Sequence, residues 1–115
     1  MALPEHEYRA WAGGKITDPA FVLGAVQLVP VTGDIAVANL IGQSGCGYRN
    51  GVPPIRYEAI AAGLTRLIEV ARTQSASVHM PKMGAGLAGG DWGIIEGIVA
   101  RTLSEANIPV FVYTF

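Results

Sequence analysis

The sequence predicts an α/β protein, because two helical patterns alternate with short β-rich runs. In residues 57–73 and 91–103, apolar residues recur at a spacing of three or four, as on one face of an amphipathic helix. Strand-like runs precede and follow these helices, which is the pattern of a layered α/β domain. With 115 residues, 50% of them apolar and 15% charged, the chain is sized for a single domain, 1–115, with a substantial core.

The first half of the chain predicts a short helix, a hairpin and a loop. Residues 4–11 form the candidate helix, with Pro4 suited to its first turn. Residues 26–31 and 35–41 are both β-rich, and the Thr-Gly-Asp sequence between them supplies a turn. Residues 44–54, which hold several glycines and prolines, are expected to form a loop.

The second half predicts helix, strand, glycine-rich loop, helix and strand. A strand at residues 77–80 runs into a glycine-rich segment at 83–90. Asp91 is expected to cap the second helix, and Asn107 suits its C-terminal end. Residues 110–115 contain too few polar side chains for a half-exposed strand, so we expect this strand to lie inside the sheet.

Charge and cysteine content exclude several classes of function. The net charge is −1 and the basic residues are scattered, so we expect no binding to a nucleic-acid backbone. One cysteine, Cys46, and two histidines make no set at metal-ligand spacing, so we expect neither a metal nor another cofactor. The sequence starts without a basic segment followed by an apolar one, and we predict a soluble cytoplasmic protein with no membrane partner.

The glycine-rich segment is a candidate anion site. A strand that leads through glycines into a helix presents unpaired backbone N–H groups and the positive end of the helix dipole. Gly84, Gly86 and Gly89 form a Gly-x-Gly-x-x-Gly pattern, which favours a diphosphate. The alternative is a tight connection that needs glycine for its backbone angles. A dinucleotide dehydrogenase is not supported, since the following strand, 110–115, carries no acidic side chain for a ribose.

Three segments carry a resemblance to a known family. SVHMPKMGAGLAGGDW at 77–92, GVPPIRYE at 51–58 and VFVYTF at 110–115 together resemble the macrodomain family. The similarity runs from about Glu7 to Phe115 and is most specific at 80–92. The chain resembles the branch of the family that contains the terminal ADP-ribose–protein glycohydrolase and a chromatin-remodeller macrodomain. This resemblance implies a three-layer αβα fold with a mixed sheet, and ADP-ribose as the ligand.

The resemblance also implies which residues bind the ligand. In the family the closing strand lines the adenine pocket, which here implies Phe115, with Tyr113 on the same face of the strand. The alternatives are that these aromatic residues belong to the core and that Lys82 is simply solvated. The implied ligand-binding set is Lys82, Met83, Gly84, Ala85, Gly86, Leu87, Ala88, Gly89, Gly90 and Phe115.

The sequence departs from the family at the catalytic positions. The glycohydrolase of this branch uses a Lys and an Asp, and the matching positions here are Gln43 and Ala88. An amide cannot form a Schiff base, and a methyl group cannot accept a proton. Gln43 is therefore the catalytic candidate only as a hydrogen-bond donor to the distal ribose or to a water, and its alternative is a polar residue at a strand end. The enzymatic form of this interpretation is removal of ADP-ribose from modified protein or nucleic acid.

Two further residues are interpreted as non-catalytic. His79 alternates with apolar neighbours and is expected to be a hydrogen-bonded residue of the sheet. Cys46 has no histidine or helix N-terminus placed beside it by the sequence, which argues against a catalytic thiolate.

Two strands of the family have no counterpart before Glu7. We therefore expect an incomplete domain, corresponding to the C-terminal two-thirds of the family fold. Its sheet would be completed by another segment or by self-association. The rival interpretation is a non-catalytic interaction or scaffold fragment with no ligand site.

Overall fold

A computed structural model describes residues 3–44, 50–83 and 89–114. The order of helices and strands confirms the sequence prediction. A π-helical turn, Ala100–Ser104, continues the third helix. The elements are α1 Pro4–Ala12, β1 Val26–Pro30, β2 Ala36–Leu40, α2 Tyr57–Gln74, β3 Val78–Pro81, α3 Trp92–Val99 and β4 Val110–Tyr113.

The predicted hairpin is confirmed as an antiparallel pair of β1 and β2, with Val29 opposite Val37. The hydroxyl of Thr32 accepts hydrogen bonds from the N–H groups of Asp34 and Ile35, at 3.2 and 3.1 Å. A polar side chain that satisfies the backbone of a turn is the reason Thr and Asp favour such positions.

Two amide side chains hold α1 on one face of this hairpin. Gln27 and Asn39 are cross-strand partners, and the Asn39 amide donates to the Gln27 side-chain oxygen at 2.9 Å. Gln27 in turn donates to the carbonyl of Glu7 at 2.9 Å, and Asn39 to the carbonyl of Pro4 at 3.2 Å. Trp11, in the last turn of α1, is fully buried and packs with Ala25 and Ile41. Burial of these amides is therefore compensated by hydrogen bonds to α1.

The opposite face of the hairpin packs on α2, so that the hairpin lies between two helices. Close approach depends on Gly63, because a Cβ atom there would overlap the side chain of Leu40. Successive strand residues point to opposite faces, so Asn39 meets α1 while Leu40 meets α2. The main core lies around α2 and α3 and consists of Ile55, Ile60, Leu64, Ala71, Met80, Ile95, Ile98, Val99, Leu103 and Ile108.

The predicted cap of the third helix is confirmed, but the C-terminal part of this helix is π-helical instead of α-helical. The Asp91 carboxylate accepts a hydrogen bond from the Gly93 N–H at 2.7 Å. Beyond Val99 the turn is π-helical, with the Glu105 N–H donating to the Ala100 carbonyl at 3.0 Å. Leu103 in this turn is fully buried, so its packing agrees with the apolar stripe that predicted it.

The expectation that the last strand lies inside the sheet is wrong for the described residues. β4 pairs with β3 in parallel, and the two strand pairs form separate two-stranded sheets. Phe111, Val112 and Tyr113 are 50%, 40% and 46% exposed. The apolar sequence indicates a strand suited to burial, but no described helix covers the side of β4 that carries Phe111 and Tyr113.

None of the helices within the described ranges is both long and apolar enough to span a bilayer.

Candidate functional site

The candidate site is a cavity at the point where β2 ends and the glycine-rich segment after β3 begins. Its volume is about 300 Å³. Two residues predicted from the sequence, Gln43 and Met83, both line it although they lie far apart in the chain. The other lining residues are Tyr8, Asn39, Leu40, Ile41, Gly42, Ile55 and Ile60. The floor is thus apolar, and the polar groups come from Tyr8, Asn39 and Gln43.

A larger and more open cleft of about 570 Å³ lies at the opposite end of β3. It is lined by Arg72, Ser77 and Asn107 among others, and by none of the predicted site residues. We place the candidate site in the smaller cavity, because there the predicted residues and the glycine-rich segment meet.

Backbone hydrogen bonds fix the segment that carries Gln43. Gln43 forms an isolated antiparallel bridge with Ile55. On either side, the Arg56 N–H donates to the Gly42 carbonyl and the Ser44 N–H to the Pro54 carbonyl, each at 2.8 Å. The side chain of Gln43 is exposed at the cavity while its backbone is held in place. This arrangement suits a residue that orients a ligand group or a water.

Arg56 places a positive charge beside the cavity. Its guanidinium is half-buried and donates to the carbonyls of Pro53 and Ile55, at 2.6 and 2.9 Å. Arg56 also precedes the first residue of α2, where the helix dipole adds partial positive charge. Both effects favour an anion near this end of α2.

The glycine-rich segment is anchored where it begins and where it ends. Met83 is half-buried against the main core, and its N–H donates to the Pro81 carbonyl at 2.8 Å. Lys82 is exposed. Gly89 has a φ of +73°, which glycine adopts without the cost that other residues incur, and half-buried Gly90 follows it. A tight connection and an anion loop both require such a backbone, so the two interpretations remain open here.

The amino ends of α2 and α3 are joined beside this segment. The Asp91 N–H donates to the hydroxyl of Tyr57 at 3.0 Å. Trp92 and Tyr57 are both half-buried against the main core, so hydrophobic packing supports the hydrogen bond. The N-termini of α2 and α3 therefore lie close to the end of the glycine-rich segment. Their dipoles favour a negative group there, and the Asp91 carboxylate already supplies one at the cap of α3.

Several predicted site residues lie outside the described residues: Gly84, Ala85, Gly86, Leu87, Ala88 and Phe115. Their roles stay predictions, and Cys46 also falls outside the described ranges.

The prediction for His79 as a hydrogen-bonded sheet residue is confirmed. One ring nitrogen of His79 lies 2.7 Å from the Tyr113 hydroxyl, and the other 2.8 Å from the Ser77 hydroxyl. The ring stacks with those of Phe111 and Tyr113, with centroid distances of 4.8 and 5.8 Å. Tyr113 is nearly half exposed, so the interpretation of this residue as simple core is wrong.

Sequence reasoning missed three residues that shape the site. Tyr8 and Asn39 line the cavity because α1 docks on the hairpin, and no local pattern announces that contact. Tyr57 lies within a segment that carried the family resemblance, which was the available signal for it. Within the described parts of the chain, no group of three or more His, Cys, Asp or Glu side chains could hold a metal ion.

Comparison with known proteins gives the fold a family. No family model matches the sequence. A protein of unknown function from Bacteroides thetaiotaomicron is 42% identical and superposes with a TM-score of 0.92, covering 98% of this chain and 71% of that one. The macrodomain of Mycobacterium tuberculosis DarG shares the fold at 20% identity, with a TM-score of 0.65, over 95% of this chain and 68% of that one.

Two further relatives have higher identity to this chain than that macrodomain. The Mus musculus chromodomain-helicase-DNA-binding protein 1-like is 30% identical over 66 residues, which are 57% of this chain and 7% of that protein. This chain therefore spans only a small part of that relative. A macrodomain protein from Streptomyces coelicolor is 44% identical, with a TM-score of 0.78, over 96% of this chain and 68% of that one. Identity and coverage at this level, with the mixed α/β fold, show that the chain belongs to the macrodomain family.

Proposed function

We propose that this protein binds ADP-ribose, or an ADP-ribosyl group on a modified protein or nucleic acid, through the glycine-rich segment after β3. The observation that carries the proposal is the cavity in which Gln43 and Met83 meet at the start of that segment. Membership of a family whose members bind ADP-ribose supports the same ligand. The proposed binding residues are Lys82, Met83, Gly84, Ala85, Gly86, Leu87, Ala88, Gly89, Gly90 and Phe115.

The diphosphate is the group that the glycine-rich segment suits best. Glycines let backbone N–H groups approach phosphate oxygens without a Cβ atom between them. The joined amino ends of α2 and α3 add partial positive charge at the end of this segment, and Arg56, which contacts the cavity residue Ile55, and exposed Lys82 carry full charges. These groups favour a doubly charged ligand over a neutral sugar.

The cavity suits one ring of the ligand rather than the whole molecule. Its volume of about 300 Å³ is at the lower end for ligand pockets, which span roughly 300–1,000 Å³. Tyr8 and Gln43 bring a hydroxyl and an amide to an apolar floor, a combination that suits the hydroxyl groups of a pentose. Asn39 also lines the cavity, but its amide already donates to Pro4 and Gln27. We assign the distal ribose to this cavity.

Calorimetry with ADP-ribose tests the binding proposal. We expect heat of binding and a rise in Tm with ADP-ribose, and a much smaller response to uncharged ribose, because the diphosphate supplies the charge contacts. A folded protein that gives neither heat nor a thermal shift with millimolar ADP-ribose would refute the proposal.

Hydrolysis is a second proposed activity, in which Gln43 orients a water or the scissile ribose. The exposed side chain on a fixed backbone at the cavity favours this role. Because the Gln43 amide can neither form a Schiff base nor take a proton, we expect slow turnover. Gln43→Ala is expected to lower the release of ADP-ribose from a modified protein by about tenfold or more, in the range of one lost positioning contact. Equal turnover of both proteins eliminates Gln43 from the mechanism.

The rival proposal is an interaction or scaffold fragment without a ligand site. The half-exposed residues of β4 and the two separate strand pairs favour it. A second copy or another segment would then cover the open strand edges. Size-exclusion chromatography distinguishes the two: a folded monomer that binds ADP-ribose contradicts the scaffold proposal, and a dimer without ADP-ribose binding supports it.

A further inference from the structure

Two consecutive residues at the start of α2 make hydrogen bonds to two different segments near the candidate site. The Arg56 N–H donates to the carbonyl of Gly42, which precedes Gln43. The Tyr57 hydroxyl accepts from the N–H of Asp91, which follows Gly89 and Gly90. The beginning of α2 therefore connects the end of β2 with the end of the glycine-rich segment.

The hydrogen bond of Tyr57 replaces one that a capping box makes within a single helix. In a capping box, the N-cap side chain binds a backbone N–H of the first turn, and a Glu or Gln at the third helical position binds the N–H of the N-cap residue. Asp91 makes the first of these bonds, to Gly93. The third helical position is Ile94, which has no polar group and is 48% exposed. The Tyr57 hydroxyl supplies the missing acceptor from another helix.

The geometry around Tyr57 keeps that acceptor in place. Its ring is half-buried and packs against the main core, in which the Trp92 ring also packs. A phenylalanine would keep this packing and lose only the oxygen. The Asp91 N–H would then lack its partner within the fold.

We propose that Tyr57 is a positioning residue for the ligand site: its hydroxyl completes the cap of α3 across the helix interface and so fixes Gly89 and Gly90 relative to Gln43. The effect of Tyr57 on ligand affinity rests on the proposed binding of ADP-ribose. Its effect on the hydrogen exchange of the Asp91 N–H does not depend on any ligand. These two consequences can therefore be measured separately.

The test compares Tyr57→Phe with a matched loss of a hydroxyl elsewhere on α2. Thr65→Val removes an exposed hydroxyl that donates to the Ala61 carbonyl at 2.7 Å. We expect Tyr57→Phe to weaken ADP-ribose binding by about three- to tenfold, the loss of one hydrogen bond, while Thr65→Val changes it less than about twofold. Tm should fall by a similar small amount in both variants.

Rescue provides the readout that a merely structural role would not give. Ile94→Gln introduces the acceptor that a capping box uses, so adding it to Tyr57→Phe is expected to restore most of the lost affinity. Failure of this rescue, unchanged affinity in Tyr57→Phe, or a much larger fall in Tm than in Thr65→Val would each overturn the proposal.

Amide exchange keeps the inference testable if ADP-ribose does not bind at all. Hydrogen exchange followed by NMR should show the Asp91 amide exchanging about two- to tenfold faster in Tyr57→Phe and at an unchanged rate in Thr65→Val. If the wild-type protein does not bind ADP-ribose but the two variants show these exchange rates, the proposed ligand is refuted and the role of Tyr57 in the cap is supported. An unchanged Asp91 amide in Tyr57→Phe refutes the cap.

Discussion

The buried amide pair beneath α1 offers the sharpest prediction about stability. Gln27 is 6% exposed, donates to the Glu7 carbonyl and accepts from Asn39, both at 2.9 Å. Gln27→Met keeps the length and nearly the volume of the side chain but removes both hydrogen bonds. It also removes the oxygen to which the half-buried Asn39 amide donates.

The expected cost follows from these two bonds. A net contribution of about 0.5–1.5 kcal/mol for each hydrogen bond gives a loss of about 1–3 kcal/mol in the free energy of unfolding. For a chain of this length the corresponding fall in Tm is about 4–12 °C. Because α1 carries Tyr8 to the cavity, the same variant should also weaken ADP-ribose binding if the proposed function is right.

Urea denaturation followed by the fluorescence of the two tryptophans, one of which is the buried Trp11, measures this loss. Gln74→Met, at the exposed last residue of α2, is the matched control and should stay within about 0.5 kcal/mol of wild type. The double variant Gln27→Met, Asn39→Leu should lose less free energy of unfolding than the sum of the two single variants, because Asn39→Leu removes the N–H group that Gln27→Met leaves without an acceptor. Equal midpoints for Gln27→Met and Gln74→Met would show that the amide pair contributes nothing.

Two further predictions concern the contacts that position the site. Gly63→Ala should lower the free energy of unfolding, measured in urea, by about 1–3 kcal/mol, because its Cβ would overlap Leu40. The control Gly33→Ala places its Cβ in open space and should have little effect. Equal stability of the two variants would contradict the close packing of α2. Asp91→Ala should lower the free energy of unfolding by about 0.5–2 kcal/mol, because it removes the cap to Gly93. Asp91→Asn should keep most of this stability, since its side-chain oxygen also accepts. An equal loss in both variants would assign the effect to the charge of Asp91 instead.

Local sequence was sufficient for most of the secondary structure. The apolar spacing of residues 57–73 predicted α2, which is Tyr57–Gln74. The turn at residues 32–34 and the cap at Asp91 were also correct, because side chains a few residues apart decide whether a turn or a cap forms. The sequence also indicated the macrodomain family, through motifs that are contiguous in the chain.

The parts of the site that the sequence did not predict come from contacts between distant residues. Tyr57 and Asp91 are 34 residues apart, and Asn39 reaches the carbonyl of Pro4 across 35 residues. Such pairs depend on how α1, α2 and α3 pack. Periodicity in one segment carries no information about the partner of that segment, so Tyr8, Asn39 and Tyr57 were found only in the folded chain.

The last strand shows most clearly what the sequence and what the tertiary structure each determine. By itself the sequence predicted an apolar strand at residues 110–115 and a glycine-rich segment at 83–90, and the family resemblance implied Gln43 as a site residue. Only the tertiary structure decided that Phe111 and Tyr113 lie half exposed and that Gln43 and Met83 share a cavity. The physical reason is that hydrophobicity belongs to a residue, whereas burial and proximity depend on which other elements the fold brings against it.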